Sequence, residues 1–207
     1  MISALVDRIK ATPTRGQRRL VAVAGAPASG KSTLAAALAD ADPTFCMVPM
    51  DGFHLDNHIL RARNLLGRKG AADTFDVAGF VHLIGRLTQE DEVIYPSFDR
   101  ALDRAIAGTG VVGPDTRTVI VEGNYLLLDR PQWRDLAPMW DLSIRLDIPV
   151  ETLEARLMQR WLDHGFTTED ATAKVHQNDI PNAQIVIAQT LPADITLRLD
   201  DLKDAPA

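Results

Sequence analysis

Three short stretches carry residues whose types and spacing could do chemistry. The first, Gly25-Ala26-Pro27-Ala28-Ser29-Gly30-Lys31-Ser32, fits G-x-x-x-x-G-K-S/T and runs on into Thr33. Glycines let such a loop turn its N–H groups inward as an anion-binding nest, and the positive end of a following helix points at the same spot. Residues 25–33 are therefore a candidate nucleotide-phosphate cradle, with Lys31 reaching the terminal phosphates and Ser32 offering its hydroxyl to Mg²⁺. The second stretch is Met50-Asp51-Gly52-Phe53-His54 and the third is Glu122-Gly123-Asn124-Tyr125. Each sets a carboxylate directly after an apolar run, where open α/β sheets place their ligands. Two strand-end acids beside one phosphate loop suggest divided labour, one serving a metal and the other an attacking hydroxyl. Either acid can fill either role. The adopted assignment gives Glu122 the metal, with Ser32, and makes Asp51 the base.

Other candidates are more distant in sequence. Arg156 and Arg160 stand four apart just before Asp163-His164-Gly165. They could close as a lid over a transferring phosphate, or form an exposed charged face. His54 and His58 are also four apart, but the Glu of H-E-x-x-H and a matching third ligand are missing, so zinc is not expected. His54 is taken as a substrate contact because it travels with Asp51. Asp76-Val77-Ala78-Gly79 matches the D-x-x-G of switch GTPases, yet no buried strand precedes it and the chain has no N-K-x-D. A nucleotide-dependent regulatory ATPase or switch is the alternative reading, and these departures speak against it.

These residues need elements to hold them. Leu20 to Ala24 reads as a buried strand before the loop, and Thr33 to Ala39 has a helix's composition. Phe45 to Pro49, Thr118 to Val121, Leu142 to Ile148 and Ile195 to Leu199 supply further strands. Helices are expected at residues 3–11 (Ser3 as N-cap), 55–66, 76–88, 150–164 and 168–190, the last broken near Pro181. Val93 to Arg100 carries Pro96, so it is an extended excursion and not a central strand. Gly108 to Asp115 reads as a turn. Trp133, Leu136 and Trp140 are read as packing residues, and Arg15, Arg18 and Arg19 as charges on a solvated turn.

With 207 residues, 46% of them hydrophobic and 24% charged, the chain has the composition of one soluble globular domain. A net charge of −6 argues against nucleic acid as the main partner. The lone Cys46 rules out a disulfide within one chain and sits in an apolar run. No basic-then-apolar leader or membrane-length apolar stretch is found, so no membrane partner is expected and the cytoplasm is the expected compartment. A homodimer is compatible with the sequence, although no heptad marks an interface.

The ordered set GAPASGKST, MDGFH, RKGAADTFD, YPSFDRA, VIVEGNYLLL and R-x-x-x-R followed by HG resembles the uridine kinase, phosphoribulokinase and pantothenate kinase group of P-loop kinases. It covers nearly the whole chain and looks closest to bacterial nucleoside/nucleotide kinase-like proteins. The resemblance implies a three-layer α/β/α P-loop fold with a mostly parallel five-stranded sheet in order 2-3-1-4-5. It implies one domain over residues 1–207, with a substrate-side segment at about 51–110 and a lid at about 156–182. It also implies ATP- and Mg²⁺-dependent transfer of a γ-phosphate to a hydroxyl of a small metabolite. Asp51 matches the group's general base or metal-linked acid, Glu122 its strand-end acid, and Arg156 and Arg160 its lid arginines. Here the uridine kinase D-S-F-Y is D-G-F-H, which leaves the acceptor open. Phe53, His54, Arg68, Lys69, Tyr95, Arg100 and Tyr125 are the expected lining of its pocket.

Overall fold

The computed structural model describes residues 1–202. The chain runs α1 (Ile2–Ala11), β1 (Arg19–Gly25), α2 (Lys31–Asp40), β2 (Phe45–Pro49), α3 (Asn57–Ala62) and α4 (Val77–Leu87). It continues through β3 (Val93–Asp99), β4 (Arg104–Val112), β5 (Thr118–Gly123), β6 (Leu142–Asp147), α5 (Val150–Asp163), α6 (Thr168–Lys174), α7 (Ile180–Ala188), β7 (Ile195–Arg198) and α8 (Leu199–Leu202). Five strands form one parallel sheet in the order β2-β5-β1-β6-β7. β3 and β4 stand apart as an antiparallel pair, so the order carries different labels from the expected 2-3-1-4-5 once the hairpin is counted. β1 and β5 are apolar and buried on both faces, as parallel strands covered by helices must be. Their carboxyl ends deliver Gly25 and Glu122 to the same edge, with Val23 paired to Glu122 in register. No helix among the described residues is long and apolar enough to cross a membrane.

Several local expectations are corrected. Val93–Asp99 forms a strand outside the central sheet, with its register shifted at Pro96 between Tyr95 and Ser97, and residues 108–112 continue β4 instead of turning, because Ile94 pairs with Val111 and Tyr95 with Gly110. Cross-strand pairing there overrides the glycines' preference for turns. The chain reverses between the strands, where Asp103 takes φ +51°. The helix expected over 55–66 shrinks to α3, ended by Asn64 at φ +56°. Ser3 lies inside α1, whose N-cap is Met1. Pro181 does not break its helix but sits in the first turn of α7, after a π-helical turn at Val175–Asp179. Widening the helix there accommodates a residue that has no N–H to donate and a ring that crowds the preceding turn. Lys203 to Ala207 lie outside the described residues.

The arginines before β1 are not all solvated. Arg18 is 1% exposed, and its guanidinium donates to the carbonyls of Leu87, Glu90, Asp91 and Gly113. It ties the ends of α4 and β4 to β1. Asp76 caps α4, its Oδ1 accepting the Gly79 N–H at 3.0 Å, which accounts for the D-x-x-G pattern without a nucleotide. Trp133, Leu136 and Trp140 are buried as expected, and Trp133 joins Phe75, Phe80 and Tyr125 in an aromatic cluster. The Cys46 thiol is half-buried and pushed up to about 11 by that burial.

Candidate active site

The loop after β1 adopts a conformation that only strong tertiary support maintains. Ala28 takes φ +62° and Gly30 φ +96°, and Gly30 caps α2 without any side-chain hydrogen bond. The left-handed state costs a non-glycine residue roughly 1 kcal/mol, so Ala28 is a point of stored strain in the loop. In exchange, the first N–H groups of α2 are left for an anion.

Those groups face a cavity of 320 Å³ whose walls include Pro27, Ala28, Gly30, Lys31, Ser32 and Thr33. Asp51 and His54 come to it from the turn after β2, and Glu122 and Asn124 from the end of β5. The same cavity receives Gly70, Arg100, Arg160, Asp179 and Asn182. Ser32 Oγ donates to Glu122 Oε2 at 3.1 Å. Glu122 is 5% exposed; burial raises its carboxyl above the usual range, while the nearby Lys31 ammonium opposes that rise. A hydroxyl and a buried carboxylate in contact fit Mg²⁺, which keeps most of its shell as water and phosphate oxygen and needs few protein ligands. No cluster of three or more His, Cys, Asp or Glu suited to a metal occurs among the described residues.

Asp51 is the second residue of a 3-10 turn, Met50–Phe53, directly after β2 and pairs with Arg100 at 3.1 Å. Gly52 follows because the hairpin lies against it: a Cβ there would stand 2.1 Å from the Pro96 carbonyl oxygen. The glycine of D-G-F-H is thus demanded by the approach of β3. His54 lies between the rings of Phe75 at 4.1 Å and Phe98 at 4.6 Å. Burial pushes its imidazole down to about 4, so it is neutral near pH 7, and its buried Nδ1 has no partner.

The two lid candidates separate. Arg160 reaches the phosphate cavity, where burial and the like charge of Arg100 lower its pKa. Arg156, one turn earlier, lies on the outer face of the loop and donates to the carbonyls of Ala28 and Ser29 at 3.2 and 3.3 Å. It lines a different cavity of 350 Å³, with Met1, Ile2, Thr33, Leu34, Ala37 and Leu202. Of the other expected contacts, Arg100 and His54 are in the phosphate cavity, and Lys69 lines an adjoining one. Arg68 is exposed and lines neither. Phe53 packs on Phe80 at 5.2 Å, and Tyr95 donates to the Met47 carbonyl at 3.2 Å. Tyr125 is fully buried and donates to the Gly70 carbonyl at 2.6 Å, so it supports the wall and does not line it.

Asn124, Asp179 and Asn182 were not anticipated. Asp179 occupies the π turn, its Oδ2 held by the Trp161 indole N–H at 2.7 Å and its carboxyl pushed up by burial. Asn178 donates to the Lys69 carbonyl, and Asn182 in turn donates to Asn178 Oδ1. That relay fixes the Asn182 amide and leaves its Oδ1 buried without a donor. No pattern marks these residues, because the helical stretch that holds Asn178, Asp179 and Asn182 is polar at many other positions as well.

No family model matches the chain. The Schizosaccharomyces pombe protein C227.14, named as a candidate uridine kinase, is 36% identical over 205 residues, covering 90% of this chain and 86% of its own. The Escherichia coli K12 protein YggC, named only as uncharacterized, is 35% identical over 192 residues, covering 89% and 79%. Among solved structures, a candidate fructose transport system kinase from Silicibacter sp. TM1040 matches with a TM-score of 0.89 at 53% identity, over 95% of this chain and 98% of that one. The phosphate loop, the parallel sheet that carries it and these relatives together place the chain in the uridine kinase-related group of P-loop kinases, the ATP-dependent phosphotransferases of small molecules.

Proposed function

We propose that the protein moves the γ-phosphate of Mg²⁺-bound ATP to a hydroxyl of a small metabolite, with Asp51 as the base. The observation that carries this reading is one cavity shared by Lys31, Ser32, Glu122 and Asp51. The loop N–H groups and Lys31 hold the β- and γ-phosphates, and Ser32 and Glu122 hold the metal, which supplies charge neutralisation across the phosphates. Asp51, kept in place by Arg100, accepts the acceptor's hydroxyl proton as the oxygen attacks phosphorus in line. Arg160 meets the charge on the transferred group. Positioning and fixed charge do most of the work, since phosphoryl transfer asks little covalent chemistry of the protein.

The nucleotide base belongs in the 350 Å³ cavity on the far side of the loop, where Leu34, Ala37, Ile2 and Leu202 offer apolar surface and Arg156 a planar cation. The names of the relatives mention uridine and fructose, so nucleosides and sugars belong in the first acceptor screen. That screen reads ADP release with Mg²⁺-ATP and confirms the product by mass. A kinase releases little ADP until its acceptor is added; steady hydrolysis without any phosphorylated product would refute the reading.

A further inference from the structure

A second cavity, of 590 Å³, adjoins the phosphate cavity and shares His54, Arg100 and Arg160 with it. Four cations line it, Lys69, Arg100, Arg160 and Lys174, against a single carboxylate, Asp103. Two of the cations are already matched. Lys69 pairs with Asp103 at 2.8 Å, and Arg100 pairs with Asp51 at 3.1 Å. Arg160 has no ion pair among the described residues, but it stands at the junction of the two cavities, where the transferred phosphate supplies its counter-charge.

Lys174 is different. It does not line the phosphate cavity. Its ammonium lies 4.7 Å from the centre of the Trp161 ring and 5.2 Å from that of Phe166. Asp170 and Asp179 share a neighbouring cavity with it and Asp179 attracts it, but Asp170 is engaged by Thr167 and Asp179 by Trp161, and neither forms an ion pair with Lys174 among the described residues. Ring faces attract a cation without cancelling its charge. The indole is itself anchored through its N–H to Asp179, so the ammonium rests on a fixed platform. A cleft lined by surplus charge of one sign concentrates ligands of the other sign. A neutral sugar or nucleoside would leave the surplus unanswered.

We propose that the phosphate acceptor is a hydroxylated anion, its hydroxyl presented to Asp51 and a carboxylate or phosphate on the same molecule received by Lys174. The proposal rests on the kinase reading above and deepens it. The body of the acceptor lies against Phe98, Trp161 and Phe166 between the two ends. In the reaction the acceptor oxygen bonds to the γ-phosphorus, the bond from that phosphorus to the bridging oxygen of ADP breaks, and the hydroxyl proton passes to Asp51.

Matched pairs of acceptors test this directly: gluconate with glucose, glycerate with glycerol, ribose 5-phosphate with ribose, and uridine monophosphate with uridine. Binding is measured by calorimetry on the full chain with Mg²⁺ and a non-hydrolysable ATP analogue, and transfer by product mass with Mg²⁺-ATP. The anionic member of at least one pair should bind and react about tenfold or more better than its neutral partner, the carboxylate and phosphate pairs deciding which anion is read. Lys174→Met, which keeps the contact with both rings, should raise the KM for that anion about tenfold with kcat and the KM for ATP little changed. Lys174→Arg should restore it. A neutral member phosphorylated as well as its anionic partner, or an anion whose KM ignores Lys174→Met, would overturn the proposal and leave the kinase reading standing. Anions that bind through Lys174 without yielding phosphorylated product would instead refute the transfer reading.

Discussion

Lys31, Ser32 and Glu122 meet at one end of α2, and Lys31 and Glu122 make separable predictions. Lys31→Met should lower kcat by roughly a hundredfold to a thousandfold, as expected when a charged group facing the transition state is removed. Glu122→Gln should weaken the apparent affinity for Mg²⁺, read from a magnesium titration of the rate, by roughly tenfold to a hundredfold. If the magnesium dependence stays unchanged, Glu122 is not a metal ligand. His54 makes a prediction about pH. Burial pushes its imidazole down to about 4 in the folded chain against an ordinary 6.5, with Asp51 and Asp103 drawing the value up and Lys69 and Arg100 pushing it further down. As pH falls from 6.5 towards 4, the unfolded chain takes up a proton that the folded chain refuses, so folding stability is lost across that window. The loss is on the order of 3 kcal/mol. The raised carboxyls of Glu122 and Asp179 slope the opposite way, so the comparison is between wild type and His54→Gln in denaturation at pH 7 and pH 4.5. The difference in stability between these proteins should shrink or reverse at the lower pH.

The residues of contiguous motifs were legible because their chemistry depends on spacing along the chain. Gly30, Lys31, Ser32, Asp51 and Glu122 lie at strand ends or in the turns that follow them, and the sheet brings strand ends together. Asn182 and Asp179 were not legible, since their place in the cavity depends on a π turn and a relay of amides that no short pattern encodes.

Among the elements, the hairpin and α5 did most to reshape expectation. β3 and β4 look like loop in sequence because proline and glycine punctuate them, yet register between the strands makes them a sheet. Helical spacing put Arg156 and Arg160 on one face, and spacing alone cannot say that the phosphate loop's carbonyls take Arg156 while Arg160 reaches the cavity. Element supports can be tested apart from chemistry. Asp76→Ala removes the cap of α4 and should cost about 1 kcal/mol of stability while leaving turnover per folded molecule unchanged. Tyr125→Phe deletes the hydroxyl that holds the Gly70 carbonyl, with a loss of about 1 kcal/mol or slightly more in chemical denaturation. Since its ring does not line the cavity, the KM for the acceptor should change by less than about threefold. A large rise in KM would return Tyr125 to the pocket.

At the scale of the molecule, one buried cation holds separate parts of the chain to the central sheet. Arg18 bridges β1, the end of α4 and the end of β4 through four carbonyls, and Arg18→Met should cost about 3 kcal/mol because those acceptors lose their donor in a buried place. The strands and the candidate site at their carboxyl ends followed from the pattern of apolar runs and the phosphate loop, and the parallel order of the sheet from the family resemblance. The long-range carbonyl cage around Arg18 did not, because charge in a turn-like stretch normally faces water. The account turns finally on whether the two strand-end acids differ in role, and one comparison decides it: wild type and Asp51→Asn assayed with Mg²⁺-ATP and the acceptor found by screening. The account predicts that transfer falls by roughly a hundredfold to ten-thousandfold while the affinity for ATP stays within about threefold. Near wild-type turnover by Asp51→Asn would contradict it.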